Sequence, residues 1–211
     1  MPPTSDDPST SARRRRTPDE RREEIVEAAT AVVAEAGYAN ATLTEITRRA
    51  GVSKGLLWHY FSDRDEVMQH AVGQLAGRLR SALVSDVDVS APVPDVVRAV
   101  FARTALFTRT HRQELRALDE IVRNLRTPDG HRRITLVDYE DVHADHAALL
   151  ARGQRDGAIR PGDLSTLASS YQALIDGMIA HLQAHPDVDP PTYANDVADL
   201  FLHGAVMPLR R

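Results

Sequence analysis

The stretch from Thr42 to Phe61, TLTEITRRAGVSKGLLWHYF, decides the fold. Thr42 and Glu45 have the spacing of a capping box, in which two side chains satisfy backbone N–H groups at the start of a helix. Gly51 can adopt the left-handed conformation that ends a helix, and Ser53 is suited to cap the next one. The stretch therefore predicts two short helices joined by a tight turn. The residues expected to form the buried seam between them are Ile46, Ala50, Val52, Leu57 and Phe61.

The same two helices leave an outer face that is suited to contact DNA. In a helix-turn-helix the first helix crosses the DNA backbone and the second enters the major groove. The predicted outer face combines hydrogen-bond donors and aromatic rings with a glycine that allows close backbone approach. Its members are Thr44, Lys54, Gly55, Leu56, Trp58, His59 and Tyr60. We therefore expect this unit to bind double-stranded DNA.

Helices are predicted throughout the rest of the chain. Thr17 to Glu20 form another capping box with proline at the first helical position, and Gly37 is placed to end that helix. Asp63 is placed to cap a longer helix that runs to about Leu83. Apolar spacing and proline or aspartate start signals predict further helices near 95–109, 112–125, 128–153, 164–184 and 191–207. The predicted class is all-α, with about nine helices, because no stretch alternates as a strand does.

Residues 1–12 contain almost nothing to bury and are expected to be disordered. The basic run Arg13–Arg16 follows, and it is either an arm that contacts DNA or a solvated tail. The predicted divisions are a tail at 1–16, a helix-turn-helix domain at 17–62 and a larger helical domain at 63–211.

Composition limits the chemistry of the protein. The 211 residues include no cysteine, which excludes disulfides, thiolate metal sites and cysteine nucleophiles. No apolar run approaches the roughly 20 residues of a membrane span, so we expect a cytoplasmic protein. The formal net charge is −4, so any DNA contact must come from a local basic surface.

The sequence from Thr42 through Phe61 resembles the DNA-binding signature of the tetracycline-repressor (TetR) family, and the resemblance spans roughly residues 20–70. It implies that the third helix is the recognition helix. It also implies a divergent C-terminal helical domain that dimerises and usually binds a small effector. Trp58 departs from the pattern, because the family more often has tyrosine there, and the hydroxyl is therefore missing.

The resemblance also implies roles for individual residues. Those expected nearest base edges are Thr44, Lys54, Gly55, Leu56 and His59. Those expected to hold phosphates are Thr42, Ser53, Tyr60 and Arg64. A lysine can donate to guanine and a leucine can pack on a thymine methyl, whereas hydroxyls and arginine suit phosphate oxygens.

The C-terminal half is predicted to dimerise and to bind an effector. Helices 164–184 and 191–207 have wide apolar stripes with Gly177 and Gly204 on or beside them, so they could pair across a two-fold axis. The residues expected to line an effector pocket, if they are not simply core, are Phe101, Phe107, Leu118, Ile121, Tyr139, His143, Tyr171 and Met178.

The sequence favours a repressor that an effector releases from its operator, and two alternatives compete with it. His143 and His146 stand three apart among aspartates, but the spacing of a metal hydrolase is missing, and so are a phosphate-binding glycine loop and a nucleophile elbow. We therefore expect neither catalysis nor a cofactor. A DNA-binding architectural or activating protein without an effector differs only in the C-terminal half, and it stays open.

Overall fold

The computed structural model describes residues 16–133 and 140–206. These residues form nine α-helices and a single 3-10 turn, Tyr38–Asn40, and contain no strand beyond one isolated bridge. The predicted all-α class is confirmed. The helices are α1 Pro18–Ala36, α2 Leu43–Ala50, α3 Lys54–Tyr60, α4 Arg64–Val84, α5 Val93–Thr110, α6 Arg112–Asn124, α7 Glu140–Arg155, α8 Leu164–Ala184 and α9 Pro190–Val206.

Local capping explains where several helices begin. The Thr17 hydroxyl accepts from the backbone N–H of Glu20, and the Glu20 carboxylate accepts from the backbone N–H of Thr17 at 2.9 Å. Asp63 and Asp163 cap α4 and α8 by accepting a backbone N–H three residues later. Each cap satisfies a donor that has no partner inside the helix.

An N-terminal hydrophobic cluster joins the four helices α1, α2, α3 and α4 with α6. Ile25 and Val33 of α1 belong to this cluster with Ile46 of α2 and Leu57 of α3, and all four side chains are buried. The cluster is completed from far along the chain by Ala117, Ile121 and Leu125. The helix-turn-helix therefore shares its core with α6.

A C-terminal cluster joins α5, α7, α8 and α9. Its centre is Tyr171, whose ring meets the rings of Phe101 and Phe201 edge-on at centroid distances of 5.3 Å. Gly153 lets α7 approach α5, because a Cβ there would meet Ile159 Cγ1 at 2.5 Å and Val93 Cγ1 at 3.1 Å. This cluster holds the two long helices α8 and α9 in place.

The helix predicted over 128–153 is wrong at its start. Thr127 and Pro128 begin a tight turn in which the Thr127 N–H donates to the His131 carbonyl at 2.9 Å, and α7 begins at Glu140. Gly130 adopts φ 86°, which only glycine takes without strain. Threonine and proline start turns as well as helices, and the Asp129-Gly130 pair favours the turn.

Within the residues that the structure describes, no helix has the length and apolarity needed to cross a membrane.

Candidate nucleic-acid interface

The turn between α2 and α3 has the backbone geometry that the sequence predicts. Gly51 adopts φ 64° and ψ 34°, and its N–H returns to the carbonyls at the end of α2. The Val52 N–H donates to the Thr47 carbonyl at 3.1 Å, which closes the turn. Ile46 and Leu57 are buried beneath it. The two helices are thus fixed against α1 as one rigid unit.

The first turns of α2 and α3 place two hydroxyls toward solvent. The Thr42 oxygen accepts the Glu45 N–H at 3.3 Å, and the Ser53 oxygen accepts the Leu56 N–H at 3.1 Å. Each hydroxyl keeps its own hydrogen, which can donate to a phosphate oxygen. The capping box predicted at Thr42 forms only in half, because the Glu45 carboxylate accepts from Arg48 instead, and that bond lowers the pKa of Glu45.

The outer face of α3 is exposed in the single chain. The Trp58 side chain is 50% exposed, which is unusual for an indole, and Lys54 and His59 are exposed beside it. A Cβ at Gly55 would have Ser53 Oγ as its nearest neighbour, at 3.9 Å. No contact within the described part of the chain therefore requires a glycine there. Thr44 is also exposed, whereas Leu56 and Tyr60 are half-buried.

Arg64 has a different role from the phosphate contact that the resemblance implies. Its Nε donates to the Ala41 carbonyl at 2.7 Å, a second nitrogen donates to the Tyr38 carbonyl, and the guanidinium lies 4.2 Å from the centre of the Tyr38 ring. These bonds hold the connection between α1 and α2. Two of the three nitrogens of the half-buried guanidinium are thus engaged within the fold, and a phosphate contact through the third stays a prediction.

Two positioning residues escaped the sequence analysis. Arg22 donates to the Tyr60 carbonyl at 3.0 Å and lies over the Phe61 ring at 5.4 Å, which fixes the end of α3 against α1. The Glu120 carboxylate accepts the Tyr38 N–H at 2.8 Å and so ties α6 to the connection before α2. The bonded residues lie 38 and 82 positions apart, and local sequence patterns contain no signal at such separations.

A cavity of about 1970 Å³ lies between α4, α5, α6, α7 and α8. Of the residues predicted to line a pocket, Leu118 and Tyr171 contact it. Ile121 lies in the N-terminal cluster, and Phe101 and Met178 lie in the C-terminal cluster. Phe107 and His143 are not among the residues that line the cavity. The Phe107 ring stacks on the ring of His111. Tyr139 and the arginines before Arg16 lie outside the described residues. Arg16 pairs with Glu24.

His146, which stands among aspartates in the sequence, lines the cavity. Its ring meets Tyr171 at a centroid distance of 4.6 Å. The His146 Nδ1 atom and the Tyr171 hydroxyl are both buried and have no partner in the described part of the chain. Burial lowers the pKa of His146 to about 4, so the ring is neutral at pH 7. Among the residues described, no cluster of three or more acidic or histidine side chains could hold a metal ion.

The helices predicted to dimerise carry an open face. Leu200 on α9 is 67% exposed, and a Cβ at Gly177 or Gly204 would meet nothing within 4 Å. Another surface could approach the backbone closely at Gly204, whereas Gly177 also lines the cavity.

Comparison with known proteins agrees with this architecture. Residues 25–71 match the model of "Bacterial regulatory proteins, tetR family", and residues 93–206, more than half of the chain, match that of "BetI-type transcriptional repressor, C-terminal". The transcriptional regulator BetI of Escherichia coli is 34% identical over 61 residues, which are 29% of this chain and 31% of the relative. The match thus spans less than a third of that relative's length.

Solved structures share the fold over most of the chain. A putative tetR family regulator from Shewanella sp. PV-4 superposes with a TM-score of 0.73 at 14% identity, covering 92% of this chain and all of the other. The fatty acid degradation regulator FadR from Bacillus halodurans gives a TM-score of 0.74 at 17% identity, covering 89% of this chain and 96% of the other. Dimerisation and ligand binding are typical of such regulators. The chain therefore belongs to the TetR family of bacterial regulatory proteins and is a transcription regulator with a DNA-binding helix-turn-helix.

Proposed function

We propose that this chain is a homodimeric repressor that a small-molecule effector releases from its operator. The observation that supports effector control most is the double role of α6. Leu118 and Val122 of this helix line the cavity, while Ala117 and Ile121 complete the N-terminal cluster. A ligand that moves α6 therefore acts directly on the core beneath the helix-turn-helix. The match to a repressor-type C-terminal model supports the direction of regulation.

DNA is read by α3 in this proposal. Lys54 donates to base acceptors, Leu56 and Trp58 pack on the groove, and Gly55 lets the helix approach closely. Thr44 and His59 add polar contacts to base edges, and Thr42, Ser53 and Tyr60 hold phosphates. Because operator DNA is in the bacterial cytoplasm, the protein acts there.

A second copy of the chain completes the reading unit. One helix-turn-helix contacts few bases, and two held about 34 Å apart fit successive major grooves of one DNA face. The exposed faces of α8 and α9, with Leu200 and the open Gly204 on α9, supply the pairing surface. Helix packing at small residues brings two backbones close together across such an interface.

Release follows from differential binding. The effector is expected to bind more tightly to a helix arrangement in which the two recognition helices no longer match the spacing of the grooves. The loss of DNA affinity then equals the difference between its binding free energies for the two arrangements, typically about 1–3 kcal/mol or roughly 5- to 150-fold. Two connections carry the shift from the cavity to the helix-turn-helix. One is α4, which lines the cavity and also packs in the N-terminal cluster. The other is the hydrogen bond between the Tyr38 N–H and the Glu120 carboxylate.

The test measures DNA affinity with and without a compound that raises the melting temperature of the free protein. We expect the compound to weaken binding of an operator selected from genomic fragments. Glu120→Ala, which removes the bond to Tyr38, should still bind compound and DNA. The compound should weaken DNA binding by this variant much less than it weakens DNA binding by the unmodified protein. Glu114→Ala is the matched control on the same helix, because the one ion pair of Glu114 among the described residues is with His111, at 3.9 Å. Unchanged release in Glu120→Ala would refute this route, and compound binding without release would favour a regulator that needs no effector.

A further inference from the structure

The charge of the cavity wall is opposite to that of the whole chain. Seven arginines and three aspartates line the cavity, whereas the chain has a formal net charge of −4. Buried or partly enclosed charge of one sign raises the local concentration of ligands of the other sign. The cavity therefore favours anions although the protein as a whole does not.

The acidic side chains of the wall already have partners. Asp119 pairs with Arg123 at 2.6 Å, Asp145 lies 4.0 Å from Arg80, and Asp176 accepts from an amide of its own helix. A cationic ligand would have to displace these contacts. Arginines of the same wall therefore balance the charges of Asp119 and Asp145, whereas the amide bond to Asp176 leaves one carboxylate charge without an arginine partner among the described residues.

Four arginines of the wall have no carboxylate within ion-pair distance among the described residues. Arg112 donates to the Gln183 carbonyl, and Arg152 donates to backbone carbonyls, at 2.8 Å to that of Ala91. Arg132 is exposed, and Arg133 is half-buried beside it. Bonds to neutral carbonyls leave the positive charge in place. A guanidinium that keeps its charge binds carboxylate or phosphate with two parallel hydrogen bonds.

Much of the rest of the wall is apolar, and the cavity is large. Leu79 and Leu83 of α4, Val100 of α5, and Ile175 and Ile179 of α8 are among its residues. At about 1970 Å³, the cavity exceeds the roughly 300–1,000 Å³ of ordinary small-molecule sites. Such a wall suits a long hydrocarbon chain, since burying each CH₂ group contributes about 0.8 kcal/mol.

The geometry points to an amphipathic anion as the ligand of this cavity: an acyl chain along the apolar part of the wall, with a carboxylate or phosphate-bearing head at the neighbouring Arg132 and Arg133. This inference names the effector class and so rests on the proposed function. A free fatty carboxylate and an acyl thioester of a nucleotide carrier share this chemistry. The experiment below separates the two sources.

The test titrates full-length protein with dodecanoate, dodecanoyl-coenzyme A, dodecanol and dodecyltrimethylammonium, each below its critical micelle concentration. Calorimetry gives the affinity and the stoichiometry. We expect one anion per chain, bound at least tenfold more tightly than the alcohol and the cation, with an affinity that falls as salt rises. The tighter of the two anions identifies the source. Equal affinity for all four probes, or preference for the cation, would overturn the inference.

Matched variants place the anion at the arginines. The double variant Arg132→Gln with Arg133→Gln should weaken anion binding at least tenfold and leave dodecanol binding unchanged. Arg155→Gln, at an exposed position of α7 outside the cavity, should change neither. Melting curves of the free proteins verify that the variants fold. Equal anion affinity in the double variant and in Arg155→Gln would also overturn the inference.

Failure of the ligand class and failure of the proposed function give different results. If an anion binds with the expected preference but leaves DNA affinity unchanged, the ligand class stands and effector release fails. If only a neutral or cationic compound releases the operator, release stands and the ligand class is refuted.

Discussion

Gly55→Ala should make the free protein more stable and a weaker DNA binder. The new methyl group has its nearest neighbour at 3.9 Å, so it causes no clash in the free chain. Alanine is also the better helix former, which raises the free energy of unfolding by up to about 1 kcal/mol. On DNA, the methyl group lies where α3 approaches the groove. Loss of close base contacts costs about 1–3 kcal/mol, a roughly 5- to 150-fold weaker affinity.

Two measurements on one protein preparation check this prediction. Urea unfolding followed by circular dichroism gives the stability, and fluorescence anisotropy of a labelled operator gives the affinity. Gly77→Ala is the control, because its Cβ also meets nothing within 4 Å but it lies on α4, away from the groove. It should gain similar stability and keep full affinity without effector. Unchanged affinity in Gly55→Ala would show that α3 does not approach DNA at this residue.

Three further predictions concern the C-terminal half. Tyr171→Phe should leave stability unchanged or raise it in urea unfolding, because it removes a buried hydroxyl without a partner; a loss above about 2 kcal/mol would reveal a partner for that hydroxyl. Gly153→Ala should cost about 1–3 kcal/mol, because its Cβ would meet Ile159 at 2.5 Å; a neutral effect would contradict the close packing of α7. The folded pKa of His146, about 4, lies below the ordinary histidine value of 6.5. The unfolded chain therefore binds the proton first, and the stability contribution of neutral His146, complete above pH 6.5, should be lost as pH falls toward 4. His146→Gln should remove this part of the pH dependence, and an unchanged slope would contradict the buried neutral ring.

The helix-turn-helix was predictable because its determinants are local. Thr17, Ser53 and Asp63 cap helices through atoms three residues away, and Gly51 turns the chain by itself. The alternation of inner and outer faces over about two turns then fixes which side chains are exposed. Nothing distant has to be known for these features.

The cavity was largely unpredictable, because periodicity shows which face of a helix is buried but not what covers it. Helix α6 buries two faces, so Ile121 reaches the N-terminal cluster while Leu118 reaches the cavity. The aspartates around His146 in the sequence give no sign of a buried ring, yet α7 turns it toward Tyr171. Arg64 fits a phosphate contact by position, but its carbonyl partners come from a loop that folds back from residues 38–41.

Selection of duplexes from a random pool at one stated salt concentration tests the central claim most directly. For the unmodified protein the account predicts two half-sites related by two-fold symmetry, about one helical turn apart. Lys54→Ala should lose preference at one base pair of each half-site, whereas Tyr60→Phe should weaken all sequences about equally. A pool without any enriched sequence, or full sequence preference in Lys54→Ala, would contradict the assignment of α3 as the reading helix.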